Sequence, residues 1–272
     1  MDYDIYDLSA VPPSAVGESL LPVIPQPTEW KPAAGECDLA AAKVEAKVDA
    51  SSALGEEGYT MKIAPGAITV VAGGDTGAVW ARQTLAQLKA SGAKAKCGTI
   101  RDIPKYRVRA FMMDVGRMYH SMDFLYDLAK TMSYYKMNVL HIPLNDNAGG
   151  RDPNKYAAFR LESETYPELT AKDGHYTKKE FREFMLYCKS IGVTVIPEID
   201  VPGHASAILA CMPELSCTGE PREVEPRFGV LDNILDGHGR VRHLRHLAEL
   251  RLDLILTCRT YLRMVVVNAD TG

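Results

Sequence analysis

The sequence has no surplus of positive charge. Its 31 Lys and Arg are outnumbered by 35 Asp and Glu, so no phosphate-binding surface is indicated and nucleic acid is not expected as a partner. It lacks a C-x-x-C pair. The six cysteines, Cys37, Cys97, Cys188, Cys211, Cys217 and Cys258, are scattered, which argues against a zinc ribbon or redox motif and predicts small, reduced thiols in the interior. No apolar run reaches the roughly 18 residues that a membrane span needs. The first residues, M-D-Y-D-I-Y-D-L-S, offer neither a basic nor an apolar signal region. A cytoplasmic protein is the default expectation, with export left open if the true start lies upstream. Repeats and low-complexity tracts are missing too.

What is present is patterned. A hydrophobic fraction of 46% over 272 residues is enough for one large domain or two ordinary ones. The first hundred residues read as a small mixed domain. Y-T-M-K-I-A (59–64) and I-T-V-V-A (68–72) look like strands joined by a turn at Pro65-Gly66. Residues 75–91 space Val79, Leu85 and Leu88 along one helical face, with Asp75 as the expected N-cap. Residues 97–107 read as a connection to a second domain.

From Val108 the pattern becomes strand, helix, strand, helix. R-A-F-M-M-D-V (109–115) is an apolar strand, 122–136 a helix, and M-N-V-L-H-I-P-L (137–144) a second strand. A long polar loop is expected from Asn145 to about Tyr176. Thr177 and Glu180 then form a capping box for a helix that stops at Gly192, and V-T-V-I-P-E-I (193–199) is a third strand. Apolar strands alternating with helices argue for a parallel sheet covered on both faces. A (β/α)8 barrel and an open doubly wound sheet both fit. The absence of G-x-G-x-x-G after the first strand counts against a dinucleotide-binding version of the latter.

Both architectures place chemistry at the C-terminal ends of strands, and the polar residues gather there. Asp114 and Arg117 follow the first strand, Asn145-Asp146-Asn147 the second, and Glu198, Asp200 and His204 the third. Each cluster has a plain reading: a local ion pair for Asp114 and Arg117, and an Asx turn for N-D-N. Each also has a functional one, since an Arg fork and a carboxylate between amides suit the hydroxyls of a sugar. A metal would need third and fourth ligands. Asp114 and His141 are candidates, but no H-x-H or H-E-x-x-H spacing supports them, and no metal or cofactor is expected. Glu198 and Asp200, two apart, would share one face of a strand. Carboxyls that straddle a glycosidic bond sit about 5 Å or more apart, so these two read as orienting groups.

R-A-F-M-M-D-V-G-R (109–117), K-M-N-V-L-H-I-P-L-N-D-N (136–147) and V-I-P-E-I-D-V-P-G-H (195–204) together resemble family 20 glycoside hydrolases, the β-N-acetylhexosaminidases. G-Y-T-M-K-I (58–63) and T-G-A-V-W-A-R-Q-T-L-A-Q-L resemble that family's small α/β domain. The resemblance runs over roughly residues 20 to 235. It implies an α/β fold, a small N-terminal α/β domain (1–100) followed by an incomplete (β/α)8 TIM barrel (101–235). It also implies that Arg117, Asp146 and His204 contact a terminal N-acetylhexosamine of a glycan. Asp114, His141, Glu198 and Asp200 would support them. The family's reaction is substrate-assisted, with the sugar's own 2-acetamido oxygen as nucleophile, and uses neither metal nor organic cofactor.

Two departures bear on activity. The family's second strand usually ends in two Asp residues followed closely by Trp. Here it ends in N-D-N, which resembles the branch containing lacto-N-biosidases. The family's catalytic Asp-Glu pair follows the fourth strand, and no Asp-Glu dipeptide occurs in this sequence. A full barrel takes about 250 residues, and fewer than 170 follow Val108. Residues 236–272 hold six Arg and no Lys, against fifteen Lys and ten Arg before them. That shift predicts a frameshift near Leu235, the alternative being a genuine basic terminal helix. The expectation is a β-N-acetylhexosaminidase by family whose present chain is an inactive fragment, or else a non-catalytic sugar-binding remnant.

Overall fold

The computed structural model describes residues 20–147 and 159–226. The expected tail at 236–272, Cys258 and the first residues lie outside them. The chain divides into two compact units. One runs to Arg107 and includes Tyr134–Lys136, and the other takes Val108–Ser133 and the chain from Met137.

In the first unit, five strands form one sheet: β1 (Glu29–Asp38), β2 (Lys43–Val48), β3 (Tyr59–Ala64), β4 (Ala67–Ala72) and β5 (Lys94–Asp102). Their order is β1-β5-β3-β4-β2, with β2 parallel to β4 and the other pairs antiparallel. The expected hairpin is β3 and β4. Alternation decides its faces: Tyr59, Met61 and Ile63 point inward with Ile68, Val70 and Ala72. Helix α1 (Asp75–Ser91) buries Val79, Trp80 and Leu88, but Leu85 only in part. Gly74 occupies the N-cap without a side-chain bond, so Asp75 lies in the first turn, where its charge still favours the helix dipole.

Three strands escaped the sequence reading. β5, read as a connection, pairs with both β1 and β3. β1 carries Pro32 and Gly35 around a register shift, both tolerated at a sheet edge. β2 is exposed along its whole length, so no buried face marks it. One buried cation holds this unit. Lys136 Nζ donates to Asp102 Oδ2 at 2.8 Å and to the Tyr59 hydroxyl at 3.1 Å, and that hydroxyl lies 2.6 Å from Thr84 Oγ1. Burial and the Asp102 charge push the Tyr59 phenol upward.

In the second unit β6 (Ala110–Met112), β7 (Val139–Pro143) and β8 (Thr194–Glu198) form a parallel sheet in that order. Helices α2 (Met122–Tyr134) and α3 (Lys178–Ser190) make the crossovers, and a short helix, α4 (Ser206–Cys211), follows β8. The strands are shorter than expected. β8 ends at Glu198, so Asp200 lies in the loop beyond it and the two carboxylates do not share a strand. The expected polar loop after Asn145 is in part core where it is described. Phe159, Leu161, Leu169 and Tyr176 are all buried, and Asn145 bridges to Phe159.

The capping box is present: Thr177 Oγ1 accepts from the Glu180 N–H while the Glu180 carboxylate accepts from the Thr177 N–H. Gly192, at φ +81°, follows the last turn of α3, a conformation that favours glycine. Thr177→Ala should lower stability by about 1 kcal/mol in urea denaturation followed by circular dichroism. An unchanged midpoint would show that the cap contributes nothing.

Candidate functional site

The three loops leaving β6, β7 and β8 bring most of the expected site residues into one hydrogen-bonded cluster. Arg117 Nη1 lies 2.6 Å from Asp114 Oδ2, and its backbone N–H donates to Asp114 Oδ1 at 3.1 Å. The local ion pair is therefore real, yet it is not all. Nη2 of the same guanidinium lies 2.9 Å from Asp146 Oδ2. His204 approaches that same oxygen through Nδ1 at 3.0 Å. A carboxylate can only accept, so Nδ1 carries the proton. Arg117 Nη2, 3.3 Å from Nδ1, is then a neighbour of the imidazole and not its donor.

Burial grades across the cluster. The Asp146 side chain is 4% exposed, Arg117 31% and His204 50%. The anion sits at the back and its two partners reach toward solvent. Asp200 Oδ2 stands 3.9 Å from His204 Nε2. Burial raises the Asp200 carboxyl above its usual range; Glu198 and Asp146 reinforce this, and His204 opposes it. His141 and Glu198 form a separate pair, Nε2 to Oε2 at 2.6 Å, between adjacent strands β7 and β8. Among the described residues no group of three His, Cys, Asp or Glu could hold a metal ion.

Backbone geometry explains the convergence. Gly116 packs so closely on the end of β7 that a Cβ there would lie 2.8 Å from the Asn145 carbonyl carbon. No larger residue allows this approach without movement, and it sets Arg117 beside Asp146. N-D-N is more than an Asx turn: Asn147 N–H does donate to Asp146 Oδ1 at 2.6 Å, but the Asn145 amide bonds to the loop after β8.

One residue was missed altogether. Arg160 is fully buried, and its Nε donates to the carbonyls of Val115 at 2.9 Å and Gly116 at 3.1 Å. Its Nη1 donates to the Gly174 carbonyl at 2.9 Å and to the Asp173 carboxylate. A lone Arg in a segment read as polar loop carries no sequence signal of this role, although its apolar neighbours Phe159 and Leu161 could have suggested a strand-like insertion.

The Glycosyl hydrolase family 20 catalytic-domain model matches residues 106–236, and the domain 2 model of the same family matches residues 40–103. The chain belongs to glycosyl hydrolase family 20. A β-hexosaminidase of Akkermansia muciniphila is 36% identical over 175 residues, covering 61% of this family 20 chain and 35% of that protein. A crystal structure of a β-N-acetylhexosaminidase superposes with TM-score 0.76 at 26% identity, over 87% of this chain and 52% of the other. A mutant β-hexosaminidase of Streptomyces plicatus, in complex with its product N-acetylglucosamine, shares the fold with TM-score 0.74 at 24% identity, over 86% of this chain and 56% of its own. The chain thus spans about a third of the first curated relative and about half of these solved structures. The small N-terminal α/β domain followed by part of a TIM barrel is the expected fold class.

Two measurements test the site's construction. Arg160→Met should cost roughly 3–5 kcal/mol in urea denaturation, because it leaves the Asp173 carboxylate, only 10% exposed, without its partner; a loss below 1 kcal/mol would refute this. Asp200, with its folded-state pKa raised, contributes stability that is fully present below its unfolded pKa and lost as pH rises through the folded value. Asp200→Asn should therefore flatten the fall in denaturation midpoint from acidic to neutral pH. A profile identical to wild type would remove Asp200 from the account.

Proposed function

We propose that the cluster is the sugar-holding part of a β-N-acetylhexosaminidase site, with Arg117, Asp146 and His204 in contact with a terminal N-acetylhexosamine. The observation that carries this reading is the doubly anchored guanidinium. Carboxylates from two loops fix its plane while about a third of the side chain stays exposed, as a fork aimed at ring hydroxyls requires. Asp200 and the His141–Glu198 pair shape the surroundings. Members of the family cleave through neighbouring-group participation. The acetamido oxygen bonds to the anomeric carbon as the glycosidic bond breaks, an Asp orients the acetamido group, and a Glu gives its proton to the leaving oxygen.

The present sequence contains no Asp-Glu dipeptide. General acid catalysis typically contributes 10²- to 10⁴-fold, so this chain binds the sugar and leaves the glycosidic bond intact. As a second reading, we propose that the protein belongs to the lacto-N-biosidase-like branch, a reading that the amides of N-D-N support. Asn145 and Asn147, at 1% and 7% exposure, are buried amides beside the proposed sugar, where a carboxylate would bring a further negative charge.

Titration of the purified chain with N-acetylglucosamine should give saturable binding, with glucose far weaker. Arg117→Lys should weaken it roughly tenfold or more, the worth of one hydrogen bond to a charged group. A chromogenic N-acetylglucosaminide should not be turned over. Absence of sugar binding would overturn the site; clear turnover would overturn the inactivity.

A further inference from the structure

We propose that Asn145 is a positioning residue, an amide clip that closes the loop after β8 and so sets His204 against Asp146. The inference rests on the sugar-site reading for its consequence, but the clip itself stands on geometry. Asn145 Nδ2 donates to the carbonyl of Asp200 at 3.0 Å and to that of His204 at 2.8 Å. Its Oδ1 accepts from the Asp200 N–H at 2.8 Å. The side chain is 1% exposed, so its two donor hydrogens need protein acceptors, and the loop supplies both.

The dependence runs the other way as well. His204 sits at φ +52°, a region costly for a residue with a Cβ and kept only where neighbours over-determine it. The bond to its carbonyl is such a constraint. With the backbone held there, Nδ1 faces Asp146 and Nε2 faces Asp200. Two donors and one acceptor in one plane are what an amide offers. A carboxylate would turn an oxygen toward two carbonyl oxygens, and a hydroxyl could make at most part of the set.

The titratable groups around the position are Asp146 beside it, Asp200 and His204 on the loop it holds, Glu198 at the end of β8, and Arg117 across Asp146. In Asn145→Asp, the ionised side chain is disfavoured by the two carbonyls, so its pKa rises above the unfolded value. The native loop is then present at low pH and lost as pH rises through the folded-state value.

The experiment follows the His204 ring signals by NMR in the full chain, for wild type, Asn145→Asp and Asn145→Ala, together with N-acetylglucosamine titration. The Asn145→Asp difference from wild type should be small near pH about 4 and grow toward neutrality. The Asn145→Ala difference should persist at every pH. Sugar affinity at neutral pH should fall roughly tenfold or more in both variants, the cost of a misplaced contact. Wild-type His204 signals in folded Asn145→Ala, or an Asn145→Asp difference that does not change with pH, would overturn the clip. If Asn145→Asp does not fold at neutral pH, Asn145→Ser decides: shifted His204 signals support the proposal and wild-type signals refute it. A wild-type chain that binds no N-acetylglucosamine would refute the sugar reading alone, since the His204 signals still report on the clip.

Discussion

A carboxylate nearly cut off from water must be satisfied by the protein, and Asp146 is where this constraint bites. Its side chain is 4% exposed, and one oxygen takes both the Arg117 guanidinium and the His204 imidazole. Burying the charge unpaired would cost several kcal/mol. The pairing therefore dictates that the loops after β6 and β8 meet over the end of β7. Arg117 is held in turn by Asp114, which leaves it one orientation. The cluster's geometry follows from satisfying one anion with two donors drawn from different loops.

The ion pairs of the cluster do not by themselves fix the backbone of its loops. The backbone is braced from below by two buried polar residues. Arg160 gathers the carbonyls of Val115, Gly116 and Gly174, fixing the turn that carries Arg117. Asn145 gathers those of Asp200 and His204. Gly116 lets the two turns approach without a side chain between them. In each case a side chain replaces the ladder partner that a strand end lacks, so the loops have part of the rigidity of the sheet beneath them.

The sequence showed the second unit better than the first for a physical reason. Its parallel strands are short apolar runs, although β6 is exposed along its length, and α3 between two of them has marked ends at Thr177 and Gly192. Those signals are local. β1, β2 and β5 lack them: β2 buries nothing, β1 is interrupted by Pro32 and Gly35, and β5 depends on partners distant in sequence. At the site, Arg117, Asp146 and His204 were legible from motif and strand-end position, and the structure draws them together. Arg160 and the clip role of Asn145 were not. Both act on backbone carbonyls, which every residue has, so nothing in the amino-acid pattern marks the acceptors. The shared strand face expected for Glu198 and Asp200 failed because β8 ends at Glu198, leaving one carboxylate on His141 and the other facing His204.

This division bears on how the site's work is distributed along the chain. Among the described residues, the ion pairs of the Asp146 cluster are made by residues between Asp114 and His204, on three adjacent parallel strands and their loops. The braces, Asn145 and Arg160, lie within the same span. Under the proposed reading, the groups that would grip a sugar are assembled by local strand order. The acid that would protonate a leaving oxygen belongs, by the family's motif order, to a later strand. On that proposal holding and cleaving would be separable in the chain, because Asp146, Arg117 and His204 pair their charges among themselves.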